Sequence, residues 1–288
     1  MLETTVRFCF RPTKFEGFWL RDVLGGFSAD GWFTDVLYRV KGGKEANVYC
    51  CKANPGTGLD LIAAKVYRHR GLRAMKNDTL YREGRQITSD RRSLRALKKK
   101  TKKGRRVETG SWLACEYQAM ERLYDIGADV PQPFAQGSHV ILMEYFGDES
   151  LAAPALNEIA LEDDEARHIF DRLMENVELL LACDLVHGDL SAYNVLYHEG
   201  RAVVIDFPQA VRPMDNPSAF SLLVRDIERL VQYFSRHGIV VRPIDLAEDL
   251  WERYMRQGLY ASSVRQSADI FCWNEALRGI GSVYDLGR

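Results

Sequence analysis

Apolar positions along this chain of 288 residues fall into two regimes. Before about residue 147 they gather in short runs rich in β-branched and aromatic residues; after it they recur at three- and four-residue intervals. The first pattern predicts strands over Val36–Val40, Ala46–Ala53, Leu61–Tyr67 and Val140–Tyr145. Two glycine-bearing stretches, Lys41–Glu45 and Asn54–Gly58, supply the turns between the first three. One helix interrupts this half: Ser111 can cap it, Leu113, Met120 and Leu123 line its apolar side, and Gly127 to Pro133 breaks the chain after about Asp125. Residues 1 to about 35 read as a short helical or irregular extension whose Phe15, Phe18, Trp19 and Phe27 can dock on the body.

The second pattern predicts helices. One runs from Asp163 or Asp164 to about Cys183 on Ile169, Leu173, Val177 and Leu180, and another from Ser218 to about His237 on Leu222, Leu223, Ile227, Leu230 and Phe234. Ile244–Arg256 and the last twenty residues read as helical too. Between the first two helices, Val195–Tyr197 and Ala202–Ile205 are short arms around Gly200, the pattern of a β-hairpin. Phe146-Gly147, closing an apolar strand, suits a hinge. The expected architecture is therefore α+β and two-lobed: an extension over 1–35, a β-rich N-lobe over 36–147, and a mostly helical C-lobe over 148–288.

Composition narrows the class. Hydrophobic residues make up 46% and charged residues 27%, as in a soluble globular protein, and no apolar run approaches the roughly 20 residues a membrane span needs. The N-terminus lacks a signal-peptide pattern, so a cytoplasmic location is expected, with no membrane partner. Six cysteines form no CxxC pair, which argues against zinc and against a disulfide framework.

A net charge of −1 conceals a local imbalance. Lys65 to Arg106 holds 17 Lys and Arg against three acids, a balance of +14, so the remainder carries −15. A stretch this basic suits an anionic partner, with nucleic acid as the expectation and a merely solvated, flexible loop as the alternative.

The chemistry lies in LVHGDLSAYNVLYHEGRAVVIDF, residues 185–207. A hairpin with arms of similar length returns its end to its start, so Asn194, before the first arm, and Asp206, after the second, should be neighbours. An amide oxygen and a carboxylate are hard ligands for Mg²⁺, which takes few protein ligands and completes its shell with water and phosphate oxygens. Asp189, one loop away, is placed to accept a proton from a hydroxyl. Together these predict a phosphoryl-transfer site. Lys65, inside an apolar strand, needs an anionic partner, and Glu116 is the candidate. His187 reads as a loop-stabilising residue.

Three blocks in order resemble the RIO family of atypical protein kinases, over roughly Val36 to Gly238. Lys41-Gly42-Gly43-Lys44-Glu45-Ala46-Asn47-Val48-Tyr49 is similar to that family's nucleotide loop, with Lys41-Gly42 where it has Ser-Thr. His187, Asp189, Leu190, Ser191 and Asn194 match its catalytic loop, and Ile205-Asp206-Phe207-Pro208-Gln209 its metal-binding block. The likeness is nearest the Rio-one type, without a winged-helix domain. It implies ATP and Mg²⁺ or Mn²⁺ as cofactors and serine in a protein, including this one, as the acceptor. It assigns Lys65, paired with Glu116, and Lys44 to the phosphates, Asp189 to catalysis, and Asn194 and Asp206 to the metal. Glu144 and Phe146 become hinge residues holding adenine through their backbone, with Met143 at the back of the pocket. The family's part in maturing the small ribosomal subunit is carried here as analogy. Two rivals stay open: a small-molecule phosphotransferase of the aminoglycoside or choline kind, and a nucleotide-gated module that binds RNA or ribosomes without phosphorylating anything.

Overall fold

The computed structural model describes residues 6–43, 45–68 and 102–261, the side chains of 102–112 and 257–261 excepted. Strands β1 (Arg7–Phe8), β2 (Phe33–Gly42), β3 (Ala46–Ala53), β4 (Leu61–Tyr67), β5 (Pro133–Gln136) and β6 (Val140–Glu144) form one sheet in the order β1-β2-β3-β4-β6-β5. All its pairings are antiparallel except β1 with β2, where Arg7 opposes Asp35 and bonds it at 2.8 Å. Residues expected to be a separate extension thus build onto the sheet. β5 was not anticipated: its proline stands first in an edge strand, the place where a missing N–H is harmless.

Alternation gives this sheet two working faces. Ile62, Ala64 and Val66 of β4 and Val140 and Leu142 of β6 pack with Leu20 and Leu24 of helix α1 (Lys14–Ala29). Ala63 and Tyr67 of β4 and Ile141 and Met143 of β6 instead join the core that continues into the C-terminal lobe. Lys65 shares this second parity and is 7% exposed. A capping box starts α1, with Thr13 Oγ1 accepting from the Glu16 amide at 3.2 Å and Glu16 returning to Thr13 N–H. Of the four aromatic residues expected to dock here, Trp19 and Phe27 do, whereas Phe15 and Phe18 stay 65% and 72% exposed. They project from the side of the helix away from Leu20 and Leu24, which do the packing.

Helix α2 spans Lys102–Asp125, so Ser111 lies inside it rather than capping it. Gly104 and Gly110 fall within it. Each costs about 1 kcal/mol in a helix interior, but extending a formed helix is far easier than nucleating one, and the surrounding Lys, Arg and Glu are good helix formers. Leu113, Met120 and Leu123 are buried as expected.

The second lobe comprises α3 (Asp163–Ala182), the hairpin β7 (Val195–His198) and β8 (Arg201–Val204), α4 (Ala219–Phe234) and α5 (Pro243–Ala261). Buried α3 positions Ile169, Phe170, Leu173, Val177, Leu180 and Leu181 keep the helical stripe. The last twenty residues lie outside the described residues. A polar clasp ties the α2–β5 connection to this lobe: the Asp129 carboxylate accepts from Arg172 Nε at 2.5 Å and Asn176 Nδ2 at 2.9 Å, and its carbonyl from Val204 N–H at 2.8 Å. Among the described residues no helix is long and apolar enough to cross a membrane.

Candidate active site

The hairpin closes in the register Val195↔Val204 to His198↔Arg201. One step beyond, Ile205 N–H donates to the Asn194 carbonyl at 3.0 Å, so Asn194 and Asp206 flank the base of the hairpin. Asp206 adopts φ +74°, a left-handed conformation that a non-glycine residue holds only when its surroundings impose it. There Asp206 Oδ1 accepts from Lys65 Nζ of β4 at 2.6 Å.

Lys65 also donates to Glu116 Oε1 at 2.5 Å, so one ammonium lies between two carboxylates from different elements. Burial by itself would lower the Lys65 pKa, but the Asp206 and Glu116 charges outweigh it and raise the value above that of an ordinary lysine. Glu116 is 1% exposed, and burial pushes it up to about 7 in spite of Lys65. Asp206 moves the other way: Lys65 overcomes the burial effect and holds it below its usual value.

His187 and Asp189 occupy the turn ahead of the hairpin. His187 is 1% exposed; its Nε2 meets the Ile205 carbonyl at 3.1 Å and its Nδ1 accepts from Asp189 N–H at 3.2 Å. Burial lowers its pKa, which keeps the ring neutral, with the proton on Nε2 and the acceptor on Nδ1. The ring therefore splints the turn to the strand end that carries Asp206. Asn194 Nδ2 donates to the Asp189 carbonyl at 2.9 Å and more loosely to its Oδ2 at 3.4 Å.

Sequence reasoning found α4 but named no functional residue on it. Asp226 sits in its apolar stripe among Leu222, Leu223, Ile227 and Leu230, and that interruption was a visible signal. Its carboxylate accepts from the Gly188 amide at 2.7 Å and the Leu190 amide at 3.0 Å. Burial raises its pKa to about 7 despite those two donors. Arg225 donates to the Gly188 carbonyl, and Arg229 Nη1 to Asp189 Oδ1 at 2.7 Å. One helix face thus grips residues 188 to 190.

Met143 and Phe146 are buried at the end of β6, and Glu144 is half-buried. Glu144 N–H donates to the Gln132 carbonyl at 2.8 Å, while its carboxylate receives Gln132 N–H at 3.2 Å. The Phe146 carbonyl accepts from Ala153; its own N–H has no partner among the described residues, so it is available to a ligand. Gly147 has φ +128°, and a Cβ there would come within 2.7 Å of Ala152 Cα and closer still to the Leu151 carbonyl. Tyr38 and Tyr145 share a hydroxyl contact of 2.6 Å that links β2 to this segment. Lys44 lies outside the described residues, as does most of the basic stretch from 65 to 106.

A divalent ion fits the donor set. Asn194 spends its Nδ2 on Asp189, and Asp206 spends Oδ1 on Lys65; among the described residues no donor reaches the Asn194 amide oxygen or Asp206 Oδ2. Among the described residues no group of three or more His, Cys, Asp or Glu is arranged for a metal, so these two hard oxygens would rely on water and phosphate for the other positions.

With this geometry in place, likenesses to known proteins become specific. The RIO domain profile matches residues 47–246. Serine/threonine-protein kinase RIO1 of Caenorhabditis elegans is 31% identical over 200 residues, which is 69% of this chain and 37% of that protein. Its Homo sapiens counterpart is 28% identical over 215 residues, 74% of this chain and 36% of the other. The RIO-type serine/threonine-protein kinase Rio1 of Haloferax volcanii is 34% identical over 202 residues, 68% of this chain and 62% of the other. The match covers little more than a third of the two animal proteins.

Proposed function

Because this chain belongs to the RIO domain family, we propose that it transfers the γ-phosphoryl group of ATP to a serine hydroxyl in a protein, its own serines included. The observation that carries this reading is Lys65 bonded to Glu116 and Asp206 at 2.5 and 2.6 Å, which brings a β-strand of one lobe onto the segment of the other that carries Asp206.

Each residue then has a task. Lys65 holds phosphate oxygens, and Glu116 keeps it in place. Asn194 and Asp206 would hold Mg²⁺, whose chemistry is to offset charge on the phosphate oxygens. Glu144 and Phe146 offer backbone groups to adenine, and Met143 forms the back of its pocket. Asp189 orients the serine hydroxyl and takes its proton as the serine oxygen bonds to phosphorus and the bond to the ADP oxygen breaks.

Labelled ATP tests this directly. Label should appear on protein serine, disappear on chelation, return with Mg²⁺, and stay absent in Asp189→Asn. Label found only on an aminoglycoside or an amino alcohol would support the small-molecule reading instead. For the basic stretch we infer an anionic partner of the RNA type, supported by its charge of +14. Deleting residues 85–106 should then weaken RNA association and flatten its salt dependence.

A further inference from the structure

Arg229 is not needed to build the turn that it touches. Asp226 already satisfies the Gly188 and Leu190 amides, and Arg225 the Gly188 carbonyl. Arg229 reaches past the backbone to the side chain that receives the proton, Asp189 Oδ1, at 2.7 Å. Both side chains remain open, 38% for Arg229 and 37% for Asp189, so the pair faces the space an acceptor must enter. One guanidinium nitrogen is engaged; among the described residues, no second acceptor takes the others. A guanidinium presents a planar fork of five N–H groups suited to carboxylates and phosphates.

We propose that Arg229 is a positioning and specificity residue of the acceptor site: one N–H group fixes Asp189, and the rest of the fork receives an anionic side chain next to the serine to be phosphorylated. This rests on the phosphoryl-transfer reading and adds the acceptor class, a serine with an acidic neighbour. The same geometry disfavours a basic neighbour, which would meet Arg229 as a like charge. Phosphoserine adjacent to the target serine offers the same chemistry as Asp or Glu.

The experiment uses the full chain and three peptides that differ only beside one serine, carrying Asp, Ala or Lys there. The ratio of kcat/KM between the Asp and Ala peptides is the readout, since a general loss of activity cancels in it. The wild-type chain should favour the Asp peptide by about tenfold, the value of one charge-assisted hydrogen bond at a half-open site. Arg229→Gln should bring that ratio close to one, mainly through KM, and Arg229→Lys should restore part of it. Equal use of all three peptides by the wild-type chain, or a ratio unchanged in Arg229→Gln, overturns the acceptor assignment and leaves phosphoryl transfer standing. Failure of the wild-type chain to label any peptide or itself overturns both.

Discussion

Lys65→Met removes the cation from between two carboxylates while keeping much of its bulk. Glu116 then stays behind at 1% exposure with no positive partner, whereas Asp206 keeps 43% of its side chain open and can turn to water. Removing one member of a buried ion pair costs roughly 3–5 kcal/mol when the other must remain charged. Glu116 has an escape, because its pKa already stands at about 7 and rises further once Lys65 is gone.

The pH dependence follows from that. A carboxyl raised above its unfolded value of 4.5 binds a proton in the folded chain that the unfolded chain releases, so stability falls as pH climbs toward the folded pKa. In the wild-type chain this decline ends near 7; in Lys65→Met it continues at up to about 1.4 kcal/mol per pH unit. The gap between variant and wild type should therefore be smallest at about pH 6 and widen by roughly 2–3 kcal/mol at about pH 9. Urea unfolding at both pH values measures it, and Lys65→Met/Glu116→Gln should abolish the widening. A gap that is flat with pH, or one that still widens in the double variant, would refute the assignment of Glu116 as the buried counter-ion.

Three further outcomes are expected. Gly147→Ala should lower stability by about 2 kcal/mol or more in a thermal melt, because φ +128° and the contacts with residues 151–153 both oppose a side chain; Gly127→Ala, at φ +81° with nothing within 4 Å, should lose only about 1 kcal/mol. Asp226→Ala leaves the buried Gly188 and Leu190 amides without acceptors, at about 1–3 kcal/mol each; hydrogen exchange at those amides should speed up and kcat should fall. Asp206→Asn should raise the Mg²⁺ concentration for half-maximal transfer by at least about tenfold, and an unchanged metal titration would remove Asp206 from the metal site.

Much of this protein is legible in order along the chain. Once Leu61–Tyr67 is a strand, Lys65 has to share a face with Ala63 and Tyr67, and the short arms around Gly200 have to return Asp206 to Asn194. Those are local consequences of a two-residue strand period and of hairpin closure, so they can be read from neighbours alone. The pairing of Lys65 with Glu116 spans 51 residues and with Asp206 spans 141; Glu116 was only a candidate partner, and Asp206 was not foreseen as one, until the sheet, α2 and the hairpin came together. The α4 grip on residues 188–190 was hidden for the same reason. An aspartate in an apolar stripe signals an unmet need for donors, but which backbone amides supply them depends on how α4 lies against residues 188–190. That placement is a sum of many weak apolar contacts distributed over the whole second lobe, and no local pattern encodes it.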